Sequence, residues 1–235
     1  FRDCREITSV IIPEGVTTIG SNAFNQCNKL ESVKLPKTLK NIEYYAFFNC
    51  SSIKSLELPE GTANIGTGVF KGCSSLTTMT IPGSINVLGQ EAFHSCTYLK
   101  SVIVSDGVKE IGSQAFNGCR SMTKITIPES VTHIGENVFA DCWSLSNITV
   151  WAKTPPTIHD NTFSNWEALL SFPEGCEEAY RNAEYWSWFA NYEVLSPGAG
   201  ICFEHERFNY QTLSYTKVKL VQGDTEAYNQ SIITI

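Results

Sequence analysis

Cysteine and histidine are the residues of this 235-residue chain with the most evident chemical potential: nine of the first, four of the second. Seven cysteines, Cys4, Cys27, Cys50, Cys73, Cys96, Cys119 and Cys142, stand 23 residues apart without a slip. Such a series could bind metal, form disulfides, or be buried as unreacted thiols. Metal ligation needs several donors to converge on one tetrahedral centre, and the chain has no C-x-x-C pair and no C-x-x-x-H partner. Equivalent positions in stacked units lie about 4.8 Å apart with parallel side chains, near the ~3.5–4.5 Å Cβ separation of a disulfide but badly aimed for one. The expectation is therefore free thiols filling an interior, each a small hydrophobe with a weak S–H donor for a nearby carbonyl. Disulfides at some positions are the alternative.

The other reactive residues do not assemble into a site. His94, His133, His159 and His205 occupy unlike positions with no recurring acid or nucleophile beside them, and read as surface or packing residues. Glu14, Glu60 and Glu129 recur just after a proline and read as solvated turn carboxylates. There is no G-x-S-x-G, no phosphate-cradling glycine loop, no H-E-x-x-H and no calcium loop. We expect no enzymatic activity, no cofactor and no metal. A net charge of −7 without a basic stripe argues against a nucleic-acid partner. No apolar run approaches the roughly 20 residues needed to span a bilayer. With 42% hydrophobic and 17% charged residues the chain has the composition of a folded protein. It opens at Phe1, inside a repeat and without a signal segment, so we expect a piece of a longer protein and read no compartment from that end.

The elements that position the cysteines repeat with them. Three aliphatic columns run through the chain: Ile7, Leu30, Ile53, Leu76, Leu99, Met122, Leu145; then Val10 to Ile148; then Ile12 to Val150. Proline follows the third column at 13, 36, 59, 82 and 128, where it ends a strand because it cannot donate to a ladder. A second pair of apolar columns follows, the first of them broken by Thr62. Glycine then recurs at 20, 66, 89, 112 and 135, with Glu43 the exception, as expected for a sharp or positive-φ turn. It leads into an Ala-Phe or Val-Phe segment, read as about one helical turn that packs Phe24 and its equivalents inward.

The pattern L-x-x-V-x-L-P-x-x-L-x-x-I-G-x-x-A-F-x-x-C resembles the 23-residue leucine-rich repeat of BspA-like bacterial surface proteins, over about residues 1–195. The resemblance implies a right-handed leucine-rich-repeat solenoid, mainly β with short helical turns. The columns alone point the same way, since one repeat is too small to bury its own apolar face and must stack on its neighbours. The series turns irregular after residue 150, where Trp166 stands in place of the next cysteine. Residues 170–195 read as strand, turn, amphipathic helix and final strand, with Ala179, Tyr180, Ala183, Trp186 and Phe189 on one helical face. This matches the family's ending, so a cap is placed at about 164–195. Residues 196–235 read as a β-hairpin-like connector, with "IITI" as the start of a further repeat block.

What remains for function is surface. Between the buried strand columns, Ile11, Lys34, Glu57, Thr80, Ile103, Thr126 and Thr149 should point outward, flanked by Ser9, Ser32, Ser55, Thr78, Ser101, Lys124 and Asn147. Such a face is either a binding array or a solvated sheet. Trp151 stands where proline recurs, and Trp143 where small residues such as Ser51, Ser74 and Thr97 recur; both read as interaction anchors or as cover for the transition into the cap. The candidate ligand-binding residues are thus Lys34, Glu57, Thr80, Ile103, Thr126, Thr149, Trp143 and Trp151. The resemblance implies an extracellular or cell-surface module that adheres to host or extracellular-matrix proteins. A carbohydrate-binding surface component and an accessory domain of a larger enzyme are the alternatives.

Overall fold

Each coil lays down one strand from its L-x-x-V-x-L stretch and a shorter one from its L-x-x-I stretch, and buries what lies between. The computed structural model describes residues 1–195. Its strands are β1 (Ser9–Ile11), β2 (Thr18–Ile19), β3 (Ser32–Lys34), β4 (Asn41–Ile42), β5 (Asn64–Ile65), β6 (Thr78–Ile81), β7 (Val87–Leu88), β8 (Ser101–Val104), β9 (Glu110–Ile111), β10 (Lys124–Ile127), β11 (His133–Ile134) and β12 (Asn147–Val150). The cap adds β13 (Leu169–Pro173), helix α1 (Glu177–Asn182), a 3₁₀ turn at Trp186–Trp188 and β14 (Asn191–Leu195). The result is a parallel-strand β-solenoid of about eight turns with very little helix. The expected connector over 196–235 lies outside the described residues.

All strand pairings are parallel, and those among β1–β12 keep the repeat spacing, as in Met79↔Val102 and Ile125↔Ile148, while the cap pairs one residue closer, as in Ile148↔Leu170. The short strands form one sheet in the order β2-β4-β5-β7-β9-β11. The longer strands divide into a pair, β1-β3, and a six-stranded sheet, β6-β8-β10-β12-β13-β14. The gap falls at residues 53–59, which form no strand. That coil alone carries leucine at both inward positions, Leu56 and Leu58, where its neighbours carry at least one β-branched side chain; leucine has the weaker preference for the pleated conformation. Glu57, expected on the sheet, therefore lies outside it.

The same coil has a second irregularity, Thr62, which is fully buried with its hydroxyl oxygen unpartnered. Its column is otherwise aliphatic, including Leu39, Ile85 and Val108. A buried hydroxyl without a partner costs about 1–3 kcal/mol, and valine has nearly the same shape. Thr62→Val should therefore raise stability by about 1–2 kcal/mol in urea unfolding. A lower stability would mean that the hydroxyl is satisfied after all.

The Ala-Phe segments turn but do not build the expected helical turn. Their N–H groups alternate in destination. Ala23, Asn25 and Cys27 close i→i−3 turns on Gly20, Asn22 and Phe24, while Asn22, Phe24 and Gln26 donate to Tyr44, Ala46 and Phe48 of the next coil at 2.8–3.1 Å. Asn22 and Gln26 both have φ of 60°, and the pattern recurs at Tyr45 and Asn49, Glu91 and Ser95, and Asn137 and Asp141. Two left-handed residues per segment cannot belong to a right-handed helix. The segments thus form a third wall of inter-coil hydrogen bonds.

The glycine column has a different cause from the expected one. The left-handed φ falls two residues later, and Gly66, Gly89, Gly112 and Gly135 are required by close approach of the neighbouring coil, whereas Gly20 has open space. A Cβ at Gly66 would stand 2.7 Å from Tyr44 N, and one at Gly112 2.6 Å from Leu88 O.

Inside the walls the phenylalanines form one column. Phe1, Phe24, Phe47, Phe70, Phe93, Phe116, Phe139 and Phe163 stack with centroids 5.0–5.8 Å apart and planes within 15° of parallel. The cap ends the column by turning rings edge-on: Trp166 and Phe189 meet Phe163 at 5.5 and 5.3 Å in T-shaped contacts. Buried Tyr180 and Trp186 satisfy their polar atoms on the preceding irregular coil, with Tyr180 Oη donating to Ala152 O at 2.7 Å and Trp186 Nε1 to Pro156 O at 2.6 Å. The single helical face expected over 179–189 is interrupted. Helix α1 stops at Asn182, Tyr185 takes φ of 63°, and Ala179 is exposed.

Candidate interaction surface

The cysteine ladder is the first candidate for chemistry, and its geometry makes it inert. Cys50, Cys73, Cys96, Cys119 and Cys142 are buried, and each thiol donates to the carbonyl of a phenylalanine in the preceding coil, from Cys50 to Phe24 O at 3.0 Å to Cys119 to Phe93 O at 3.3 Å. The eight described cysteines are unpaired. Burial pushes the Cys50 and Cys142 thiols up to about 12 and holds the three between them well above the ordinary thiol value. Because the thiolate is the nucleophile, these five should resist a thiol reagent at pH 8 until the fold opens. Non-reduced protein labelled in denaturant should show nine reactive thiols by mass. Fewer than nine would establish oxidised pairs.

The histidines do not form a catalytic group either. Ser95 Oγ lies 2.9 Å from His94 Nδ1, but the neighbouring Glu91 is held by Lys71 Nζ at 2.6 Å, and among the described residues no carboxylate bonds to the His94 ring. Burial and the Lys71 ammonium hold His94 below its ordinary value. His133 Nδ1 pairs with Thr157 Oγ1 at 2.7 Å, and its ring meets His159 edge-on. His205 lies outside the described residues. Among the described residues, no three of His, Cys, Asp and Glu are grouped as metal ligands would be. No helix is long and apolar enough to cross a membrane among the same residues.

The outward column of the long sheet is brought together only in part. Thr80, Ile103 and Thr126 stand in register on β6, β8 and β10, all exposed, with Ile103 57% exposed. Thr149 continues the row on β12 but is half-buried; beyond it stand Ser171, buried, and Glu193 on the final strand. Lys34 is exposed on the separate two-stranded sheet, in register with Ile11. Glu57 sits in the gap between the two sheets. Trp143 is 65% exposed on the turn after Cys142, so it does not cover the cap. Trp151 is half-buried at the end of β12, where its N–H bonds Ile127 O, next to the residue whose carbonyl takes the Tyr180 hydroxyl.

A second outward column was legible in the sequence but not singled out. On the short-strand sheet, Asn64 Nδ2 donates to Asn41 Oδ1 at 2.6 Å and Asn41 Nδ2 to Thr18 Oγ1 at 3.4 Å. These polar residues recur at the 23-residue spacing immediately before the buried Ile19, Ile42 and Ile65. Their side chains bond one another along the stack. One coil on, Glu43 occupies a glycine position and accepts from both Ser21 N and Ser21 Oγ, which holds its carboxyl below the usual range.

The stacked coils, the phenylalanine column and the thiol ladder repeat one motif, and that motif is diagnostic. The BspA type leucine-rich repeat region matches residues 1–106 and 88–185, in six copies. The chain belongs to the BspA type leucine-rich repeat family. The solved leucine-rich repeat protein of T. pallidum is 33% identical, with a TM-score of 0.58, over 62% of this chain and 68% of that one. A leucine-rich repeat protein from Bacteroides ovatus ATCC 8483 is 25% identical, with a TM-score of 0.61, over 83% of this chain and 62% of that one. The BspA type chain thus spans about two thirds of the length of either. A comparison with curated proteins found no match. Leucine-rich repeats of this bacterial type are interaction scaffolds and are typically non-catalytic.

Proposed function

We propose that the chain is a non-catalytic adhesion module of a secreted or cell-surface bacterial protein, which binds a host or extracellular-matrix protein through the exposed face of its long sheet. The observation that carries this reading is the in-register row Thr80, Ile103 and Thr126. It sets an exposed isoleucine between two small hydroxyl side chains, on a frame whose strands β8 and β10 are hydrogen-bonded to both neighbours. Small side chains let a partner's backbone approach, and Ile103 offers apolar surface at the centre of the row. Stacked coils lose little freedom on binding, which favours a flat, extended contact.

The test uses immobilised extracellular-matrix proteins beside a glycan array. Wild-type protein should bind a matrix protein, and tryptophan at Thr80, Thr126 or Thr149 should abolish that binding with unchanged far-UV circular dichroism. Binding that survives all three substitutions would place the site elsewhere. Binding to glycans alone would replace the protein partner with a carbohydrate.

A further inference from the structure

The turn after each cysteine, together with the first residues of the following strand, forms one edge of the solenoid, and its charges are organised differently along its length. In the first three coils the cations of this edge are matched by acids: Arg2 and Arg5 with Asp3, Lys29 with Glu6 at 2.7 Å, and Lys54 with Glu31 at 4.0 Å. Lys71, on the next coil, is held by Glu91 at 2.6 Å. The pattern then changes. Lys100, Arg120 and Lys124 are exposed on the next two coils, and among the described residues none of them is in an ion pair. The one carboxylate over the same stretches, 94–101, 117–124 and 140–147, is Asp141.

Two large aromatic side chains flank these cations. Tyr98 is 61% exposed and Trp143 is 65% exposed. Arg120 and Trp143 hold the same position in consecutive coils, so their backbones lie about 4.8 Å apart, and Tyr98 belongs to the coil before Arg120. Elsewhere on this edge the position of Trp143 carries Arg5, Asn28, Ser51, Ser74 and Thr97. Unpaired cations on a chain with a net charge of −7, grouped beside exposed Tyr and Trp, are a local inversion of its surface.

From this grouping we infer that the edge formed by Tyr98, Lys100, Arg120, Lys124 and Trp143 is the docking surface for an acidic segment of a protein partner. The inference rests on the protein-binding reading above and gives that partner its chemistry. Charge complementarity selects an acidic partner, and here the cations stand beside exposed aromatic side chains. The aromatics select a polypeptide over a polyanionic glycan. Tyr, Trp and Arg are the side chains that dominate protein interfaces, whereas a polyanion draws its affinity from many charge contacts and finds three here. Tyr98 and Trp143 would grip apolar side chains on either side of the carboxylates that meet Arg120.

The test uses fluorescein-labelled peptides of alternating glutamate and leucine, their lysine-for-glutamate counterparts, and a heparin oligosaccharide, with fluorescence polarisation as the readout. The glutamate peptide should bind, more weakly at about 300 than at about 50 mM salt, as expected for an exposed charge contact. Arg120→Glu and Trp143→Ala should each weaken it at least about tenfold, with thermal midpoints equal to wild type. If both variants bind as well as wild type while Thr126→Trp does not, the edge is excluded and the sheet-face reading stands. Preference for heparin, or for the lysine peptide, overturns the partner chemistry. If folded protein binds none of the three probes, the edge proposal fails, and the matrix-protein panel decides separately whether the chain binds protein at all.

Discussion

Phe93→Ala should lower the stability of the chain by about 3–5 kcal/mol, the range for truncating a fully buried phenylalanine. Phe93 is wholly buried between Phe70 at 5.2 Å and Phe116 at 5.5 Å. Walls fixed by inter-coil hydrogen bonds cannot close on the void. Phe93 N bonds Ala115 O at 2.8 Å, and the Phe93 carbonyl accepts the Cys119 thiol. Both contacts use the backbone, so alanine keeps them and the cavity remains. Phe1→Ala is the internal control. Its ring stacks on Phe24 but is 73% exposed, and its loss should cost well under half as much. Urea unfolding of the two variants checks the difference, and equal losses would show that the column does not carry the core.

Gly112→Ala should cost about 1–3 kcal/mol, the range for overpacking, although alanine lowers the entropy of the unfolded chain. The added methyl would stand 2.6 Å from Leu88 O and 2.9 Å from Gln90 N. Both are backbone atoms, and Leu88 O already accepts Gly112 N at 2.9 Å, so relief means breaking the rung that joins the two coils. Gly20→Ala, at the same position in the repeat, meets nothing within 4 Å and should be neutral or stabilising by up to about 1 kcal/mol. If the glycines served a special φ, both substitutions would be costly. Opposite outcomes at two equivalent positions identify contact as the cause.

The sequence announced the columns because identical apolar residues at a fixed spacing can be buried only by stacking. Leu30, Val33, Phe24 and Cys27 are where their periodicity puts them, and the thiols donate to carbonyls as their small size and weak polarity led us to expect. The Ala-Phe segment was misread because its local composition is helix-compatible. What decides its shape is the partner of every second N–H, which lies on another coil and has no signature in a single repeat. Glu57 was misplaced for a related reason. Spacing assigns it to the outward column, but whether the coil forms a strand depended on Leu56 and Leu58, whose aliphatic character matches the pattern while their branching does not. Trp143 stood out by breaking its column. Tyr98 breaks a neighbouring one, where Ser52, Ser75, Ser121 and Ser144 stand, and was equally legible. The contrast along this edge was legible too, because residues 2–9, 25–32 and 48–55 carry Asp3, Glu6 and Glu31 while residues 94–101, 117–124 and 140–147 carry Asp141 alone; side-chain geometry adds which cation meets which acid.

The alternating N–H groups of the Ala-Phe segments tie each coil to the one that follows, through the residue 22 positions on, or 23 on at Phe139, where the following coil has an extra residue. Nothing in the wall depends on how many coils precede or follow. Excising one whole repeat would therefore return Phe, Cys, the aliphatic columns and every rung to partners of the same kind, whereas removing about half a repeat after Phe24 would set that phenylalanine against Leu58 or Pro59 at the junction. A chain built this way can change length in whole coils, and the unit of change is the closed coil.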